Sequence, residues 1–227
     1  MTPNQVTAIR VAAAFGAVAL FLFFGDVMAV DLAGVALTVA AIVLDGVDGY
    51  LARSRGMATP LGAQLDIMGD RVVENLFFTF FAVAGLVSLW VPVVFFVRGT
   101  LTDFLRGLAS RAGRSGFGQS SMLETTWGRA LVASRSSRST YAALKCLCFC
   151  FLGFTMSVGH AAAPWLDGTV RGRLLIAAQA LVTATVVFCL VRAIPVILDG
   201  RKYWAKAVKA TAARQQRSAR AAVEAAR

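Results

Sequence analysis

Long apolar runs separated by short polar clusters organise this chain. Six of them, at residues 6–24, 30–50, 72–89, 91–108, 141–158 and 174–198, approach or exceed the roughly 20 residues a helix needs to cross the hydrocarbon of a bilayer. The fourth run is the least apolar because Arg98, Asp103 and Arg106 interrupt it. Before the first run, "TPNQVTAIR" sets Thr2 and Pro3 at a helix start, and predicts a segment lying in the interface. On that segment Asn4, Thr7 and Arg10 recur every three residues and share a face, which serves either as a plain interfacial start or as a strip facing a ligand. Gly56, Pro60 and Gly62 mark a reversal between the second and third runs. The polar loop 110–140 predicts a partly ordered lobe with a short helix near 124–134. The Ala/Lys/Arg-rich tail, 201–227, predicts a helix at or leaving the membrane surface. The fold class is therefore an all-α integral membrane protein, with six transmembrane helices in residues 1–200 and a basic tail helix in 201–227.

Composition strengthens this picture. Of 227 residues, 58% are hydrophobic and 15% charged, and the mean hydropathy is +0.69, too apolar for a soluble domain of this size. The net charge of +11 is distributed topologically. With both termini cytoplasmic, the inner side holds Arg53 and Arg55, then Arg111, Arg114, Arg129, Arg135 and Arg138, then eight Lys/Arg in the tail. The outer connections at 25–29 and near Trp90 carry no Lys or Arg, and 159–173 carries Arg171 and Arg173. Basic residues that border apolar spans do not form a nucleic-acid surface; they suit anionic lipid headgroups. Arg10 and the first run imitate a secretory signal, but no clear small-x-small cleavage site precedes Asp31. Cys146, Cys148, Cys150 and Cys189 all fall inside predicted spans, without His nearby, and read as packing residues.

Four aspartates stand out against this apolar background. Asp45 and Asp48 are three apart at the end of the second run; Asp66 and Asp70 are four apart before the third. Each pair shares a helix face, and an antiparallel reversal between them would bring the pairs together at one depth. Ionisable groups at such a depth mark a functional site, and four carboxylates would repel strongly unless cations were present. Oxygen donors without His or Cys suit a hard divalent ion, Mg²⁺, Mn²⁺ or Ca²⁺, and four can hold two ions. The EF-hand ladder is absent. The competing structural use is ion pairing with Arg53, Arg55 and Arg71.

The full spacing is Asp45-x2-Asp48-Gly49-x2-Ala52-Arg53-x8-Gly62-x3-Asp66-x3-Asp70. It resembles, without a gap, the signature of the CDP-alcohol phosphatidyltransferase family. The resemblance implies an enzyme of phospholipid biosynthesis that transfers a phosphatidyl group from a CDP-linked lipid to an alcohol and releases CMP. It implies Asp45, Asp48, Asp66 and Asp70 as metal ligands, with Asp70 also the general base. It places Gly49, Ala52, Arg53 and Gly62 at the nucleotide and donor, where Asn4 and Thr7 would join them, and it implies a homodimer with its active site at the cytoplasmic face, here of a bacterial inner membrane. Arg98 and Arg106 resemble an arginine pair of phosphatidylglycerophosphate synthases, although Gly99 replaces the acidic residue expected after the first. Arg135 and Arg138 lie near where those synthases carry a Gly-Lys-x-Lys-Thr stretch, which this sequence does not match, and Lys145 follows. Convergent arginines suit a phosphorylated acceptor: glycerol 3-phosphate first, inositol phosphate or another polar alcohol next. A divalent-cation channel or carrier would also use the aspartates, but it would expect acidic groups at several depths and leaves the small residues unexplained. An inactive scaffold would not need the full aspartate set.

Overall fold

The computed structural model describes residues 2–24, 27–54, 59–114, 121–160 and 168–225; at Pro3, Met28, Asp45, 47–54, Pro60, Arg135, Gly159, His160, 219–223 and Ala225 it describes the backbone alone. The long helices are α1 (Pro3–Phe24), α2 (Met28–Ser54), α3 (Pro60–Val83) and α4 (Trp90–Arg111). A short α5 (Thr126–Gly128) then runs into a π turn (Arg129–Ala133), followed by α6 (Arg135–His160) and α7 (Gly168–Ala225). Five of the six apolar runs lie wholly on helices; the third, 72–89, follows α3 only as far as Val83, and 84–89 form the turn before α4. Among the described residues, three stretches are long and apolar enough to cross a membrane: Asn4–Phe24, Ser136–Val158 and Gly168–Ser218. The apolar part of α2, Ala29–Leu44, is shorter. α3 and α4 fall outside that group because the former carries Asp66, Asp70, Arg71 and Glu74 and the latter Arg98, Asp103 and Arg106.

Helix α3 begins about three turns before the apolar run that announced it. Thr59 is its N-cap: the hydroxyl accepts from Gly62 N at 3.0 Å, and Pro60 supplies a preset φ at the first position. Gly62 therefore lies within the first helical turn rather than in the reversal preceding it. At the far end the chain closes back on itself, with Leu86 N donating to Phe81 O at 2.9 Å and Gly85 at φ 75°, a conformation glycine adopts without strain.

The described chain forms two compact units. The first comprises Met1–Phe96 and Tyr141–Val187. Within it, α1 and α2 run antiparallel. A Cβ on Gly34 would sit 2.8 Å from Phe21 Cε1 and one on Gly16 3.1 Å from Leu37 Cδ2, so small residues let the two backbones approach. α1 runs parallel to α3, since Asn4 lies against Gly62 and Arg10 against Gly69. It follows that α2 and α3 are antiparallel, so that the end of one and the start of the other lie towards the same end of α1. Phe77, Phe78, Phe81 and Phe149 are buried together; the Phe77–Phe149 and Phe78–Phe149 ring centroids are 5.0 and 4.8 Å apart. This aromatic layer fixes α6 on α3.

The second unit comprises Val97–Thr140 and Phe188–Arg227. Its core joins Ala109, Met122, Leu123, Val132, Val196 and Tyr203. The expected helix near 124–134 is there, as α5 and the π turn, and the tail is the continuous end of α7. Buried Arg192 on α7 donates to Leu131 O at 2.7 Å and Val132 O at 3.4 Å, which satisfies carbonyls at the end of the π turn. Two turns further along, Asp199 accepts from Glu124 N at 3.0 Å, and Lys202 pairs with Glu124. The hydrogen bond from Lys202 holds the Glu124 carboxyl below its ordinary value.

Candidate active site

The first unit collects charged side chains on one stripe of α3. Asp66, Asp70 and Glu74 recur every fourth residue, so they stack along a single face from the first turns inward. Arg10, 2% exposed, reaches them from α1. Its Nη1 donates to Asp70 Oδ1 at 2.9 Å, and its Nη2 to Asp66 Oδ1 and Asp66 O, each at 3.3 Å. One guanidinium fork thus spans two carboxylates a turn apart, a geometry that a lysine's single ammonium does not reproduce. Gly69 makes the approach possible: a Cβ there would lie 2.8 Å from Arg10 Nη2 and 2.9 Å from Thr7 Cγ2.

A turn deeper, Glu74 is 1% exposed and gathers three donors. Arg71 Nη1 lies 2.7 Å from Oε2; from α6, Tyr141 Oη lies 3.1 Å and Lys145 Nζ 3.3 Å from Oε1. A buried carboxylate is costly without such partners. Between the two clusters is a cavity of about 50 Å³ whose lining includes Arg10, Asp70, Glu74, Lys145, Ala41 and Cys146. Its wall is mostly apolar, with Ile42, Val73 and Phe149 among its lining, and the four charged side chains are its polar points; a water molecule held there would bond to those.

The structure places the sequence-derived residues as follows. Asn4, Thr7 and Arg10 lie against α3, so the strip on α1 faces the signature. Asp45 and Asp48 sit on the last turns of α2, in the uninterrupted helix that their spacing requires; their side chains, with those of Ala52 and Arg53 and the surroundings of Gly49, lie outside the described residues. Arg71, one of the partners considered for the aspartates, donates to Glu74, and Arg10 pairs with Asp66 and Asp70. Arg98, Arg106 and Arg138 belong to the second unit. Arg98 is buried, Arg106 donates to Asp103 Oδ1 at 3.1 Å, and Arg138 is exposed; the side chain of Arg135 lies outside the described residues. Glu74 and Tyr141 escaped the sequence reading. Their only signal was periodicity, Glu74 extending the aspartate stripe by one turn and Tyr141 lying four residues before Lys145.

The donors present fit a hard divalent ion in chemistry. Asp66 and Asp70 offer carboxylate oxygens one turn apart, and their side chains remain 45% and 43% exposed despite Arg10. Among the described residues no three His, Cys, Asp or Glu converge at metal-binding distance; a third and fourth oxygen ligand would come from Asp45 and Asp48.

The family model for CDP-alcohol phosphatidyltransferases matches residues 1–165, which include the whole signature and the α1, α3 and α6 residues of both clusters. The chain belongs to the CDP-alcohol phosphatidyltransferase family. A relative, the archaetidylinositol phosphate synthase of Aeropyrum pernix, is 30% identical over 111 residues, 49% of this chain and 54% of that protein. The match thus spans about half the relative's length. In this member of the family, the last two aspartates of the signature are already held by an arginine from α1.

Proposed function

We propose that the protein transfers a phosphatidyl-type group from a CDP-linked lipid to a phosphorylated alcohol and releases CMP. The observation that carries this reading is the signature on α2 and α3, with its last two carboxylates one turn apart on α3 and Asp70 lining a cavity. Asp45, Asp48, Asp66 and Asp70 would hold two Mg²⁺ or Mn²⁺ ions. Bound there, the ions supply positive charge to the pyrophosphate oxygens and make CMP a better leaving group. Asp70, at the cavity wall, takes the proton of the acceptor hydroxyl as its oxygen forms the new bond to phosphorus and the bond to CMP breaks. Gly49 and Ala52 leave room for the nucleotide; Gly62, in the first turn of α3, lets Asn4 approach, Asn4 and Thr7 border the same approach to the donor, and Arg53 orients the pyrophosphate.

Arg98, Arg106, Arg135 and Arg138 would recognise the acceptor's phosphate. Two acceptors compete. Glycerol 3-phosphate fits the Arg98–Arg106 spacing, but Gly99 and the sequence around Arg135 depart from the pattern of glycerol-phosphate enzymes. Inositol phosphate agrees with the Aeropyrum relative, an archaetidylinositol phosphate synthase, and we favour it for that reason. The topology that accompanies this reading has six spans with both termini cytoplasmic, the fourfold aspartate set at the cytoplasmic face and a homodimer as the working form.

The test is CMP release by the purified protein in detergent, with CDP-diacylglycerol as donor, Mg²⁺, an EDTA control, and inositol phosphate, glycerol 3-phosphate and serine as separate acceptors. Release that requires inositol phosphate supports the reading. Release with glycerol 3-phosphate alone reverses the order of the acceptors, and liposome uptake of a divalent ion without any CMP release would favour a carrier.

A further inference from the structure

Arg10 stands where the proposed function calls for exchangeable positive charge, yet it is a fixed part of the fold. It is buried, it comes from a different helix, and its fork spans Asp66 and Asp70 at 3.3 and 2.9 Å. We propose that Arg10 is a positioning residue that serves as a resident counter-charge for this acid pair: it keeps the two carboxylates spaced and oriented without a divalent ion, and it weakens the grip on such an ion when one arrives. The inference rests on the reading of Asp66 and Asp70 as cation ligands.

The electrostatic argument has two parts. Two carboxylates stacked one turn apart repel, and at 45% and 43% exposure water screens that repulsion only in part. A guanidinium bonded to both removes most of it and gives α1 a specific docking point on α3, which the missing Cβ of Gly69 leaves open. The same charge then opposes a divalent ion. The ion meets a cluster of net charge −1 rather than −2, with a full positive charge within a few ångströms, a difference of roughly tenfold or more in affinity. A moderate grip suits a site whose ions are shared with a diphosphate that must enter and leave.

Charge and geometry separate cleanly in two variants. Arg10→Gln removes the charge; Arg10→Lys keeps it and loses the fork. The full-length protein in detergent is titrated with Mn²⁺ alone, the free ion being followed by its electron paramagnetic resonance signal. Thermal unfolding is recorded with and without Mn²⁺, and Asp66→Asn identifies binding at this site. The expected result for Arg10→Gln is a lower unfolding temperature without the ion, roughly tenfold tighter Mn²⁺ binding, and a larger rise in unfolding temperature on adding it. Arg10→Lys should bind Mn²⁺ within about threefold of the parent, because the opposing charge remains. Arg10→Gln binding Mn²⁺ no more tightly than the parent would overturn the proposal and leave Arg10 a scaffold residue. If Arg10→Gln does not fold, a tenfold change in either direction for Arg10→Lys overturns it equally. A parent protein with no Mn²⁺ binding sensitive to Asp66→Asn removes the ligand reading first, and this inference with it.

Discussion

Replacing Glu74 by Gln tests whether the buried charge cluster holds α6 against α3. The carboxylate is 1% exposed, accepts from Arg71 at 2.7 Å and Tyr141 at 3.1 Å, and forms an ion pair with Lys145 at 3.3 Å. Gln preserves shape and volume, so packing is unchanged and the perturbation is the loss of one negative charge. Removing one member of a buried ion pair costs about 3–5 kcal/mol, because its partner is left as an uncompensated charge. Here the cations are 23% and 19% exposed and recover part of their hydration, which points to the lower end, about 3 kcal/mol. For a chain of this length that corresponds to a fall of roughly 6–12 °C in unfolding temperature, measurable by tryptophan fluorescence in detergent. Lys145→Met should cost less than half as much, since Glu74 keeps Arg71 and Tyr141. The double variant should be less destabilised than the sum of the two, because Lys145 no longer lacks its counter-charge. A fall under about 2 °C for Glu74→Gln would refute the reasoning, and would mean that the cluster is hydrated well enough to dispense with its anion.

Further outcomes follow from the same geometry. Asp70→Asn should lower CMP release by about two to four orders of magnitude, as expected for loss of a general base, while Asp66 retains Arg10 and the protein still folds; turnover near normal would remove Asp70 from that role. Arg106→Ala should raise the apparent KM for a phosphorylated acceptor at least several-fold more than that for the lipid donor, read from initial rates with each substrate varied in turn. Arg192→Leu leaves Leu131 O with the Ser137 hydroxyl and takes the guanidinium away from Val132 O; limited proteolysis across 121–137 should be several-fold faster than in the parent, since losing hydrogen bonds from a charged donor costs about 1.5–3 kcal/mol.

How much could be read without the fold differs from feature to feature. Helix positions were legible because a long apolar run is a local property of the sequence, visible without any tertiary contact. The start of α3 was not, because Thr59 and Pro60 begin the helix well before its apolar part, in a stretch whose glycines suggested a reversal. The short helix near 124–134 was legible from the composition around it; the continuity of α7 through Pro195 into the basic tail was not, since a proline and a change from apolar to charged residues both suggest a break.

The family and its aspartates were determined by the sequence alone, because the signature is a set of residue types at fixed spacing and helical periodicity turns spacing into a shared face. Which cation meets those aspartates was decided by tertiary structure. Arg10 lies 56 and 60 residues from Asp66 and Asp70, and nothing local distinguishes it from Arg53, Arg55 or Arg71. Only the parallel docking of α1 on α3 brings it in, and that docking depends on the missing side chain at Gly69. Glu74 tells the same story: one more acidic residue on a stripe, it became a buried anchor when α6 delivered Tyr141 and Lys145 to it. Periodicity along one helix can assign a face, but pairing between helices depends on backbone approach, which is set by small residues and aromatic packing far from the charges themselves.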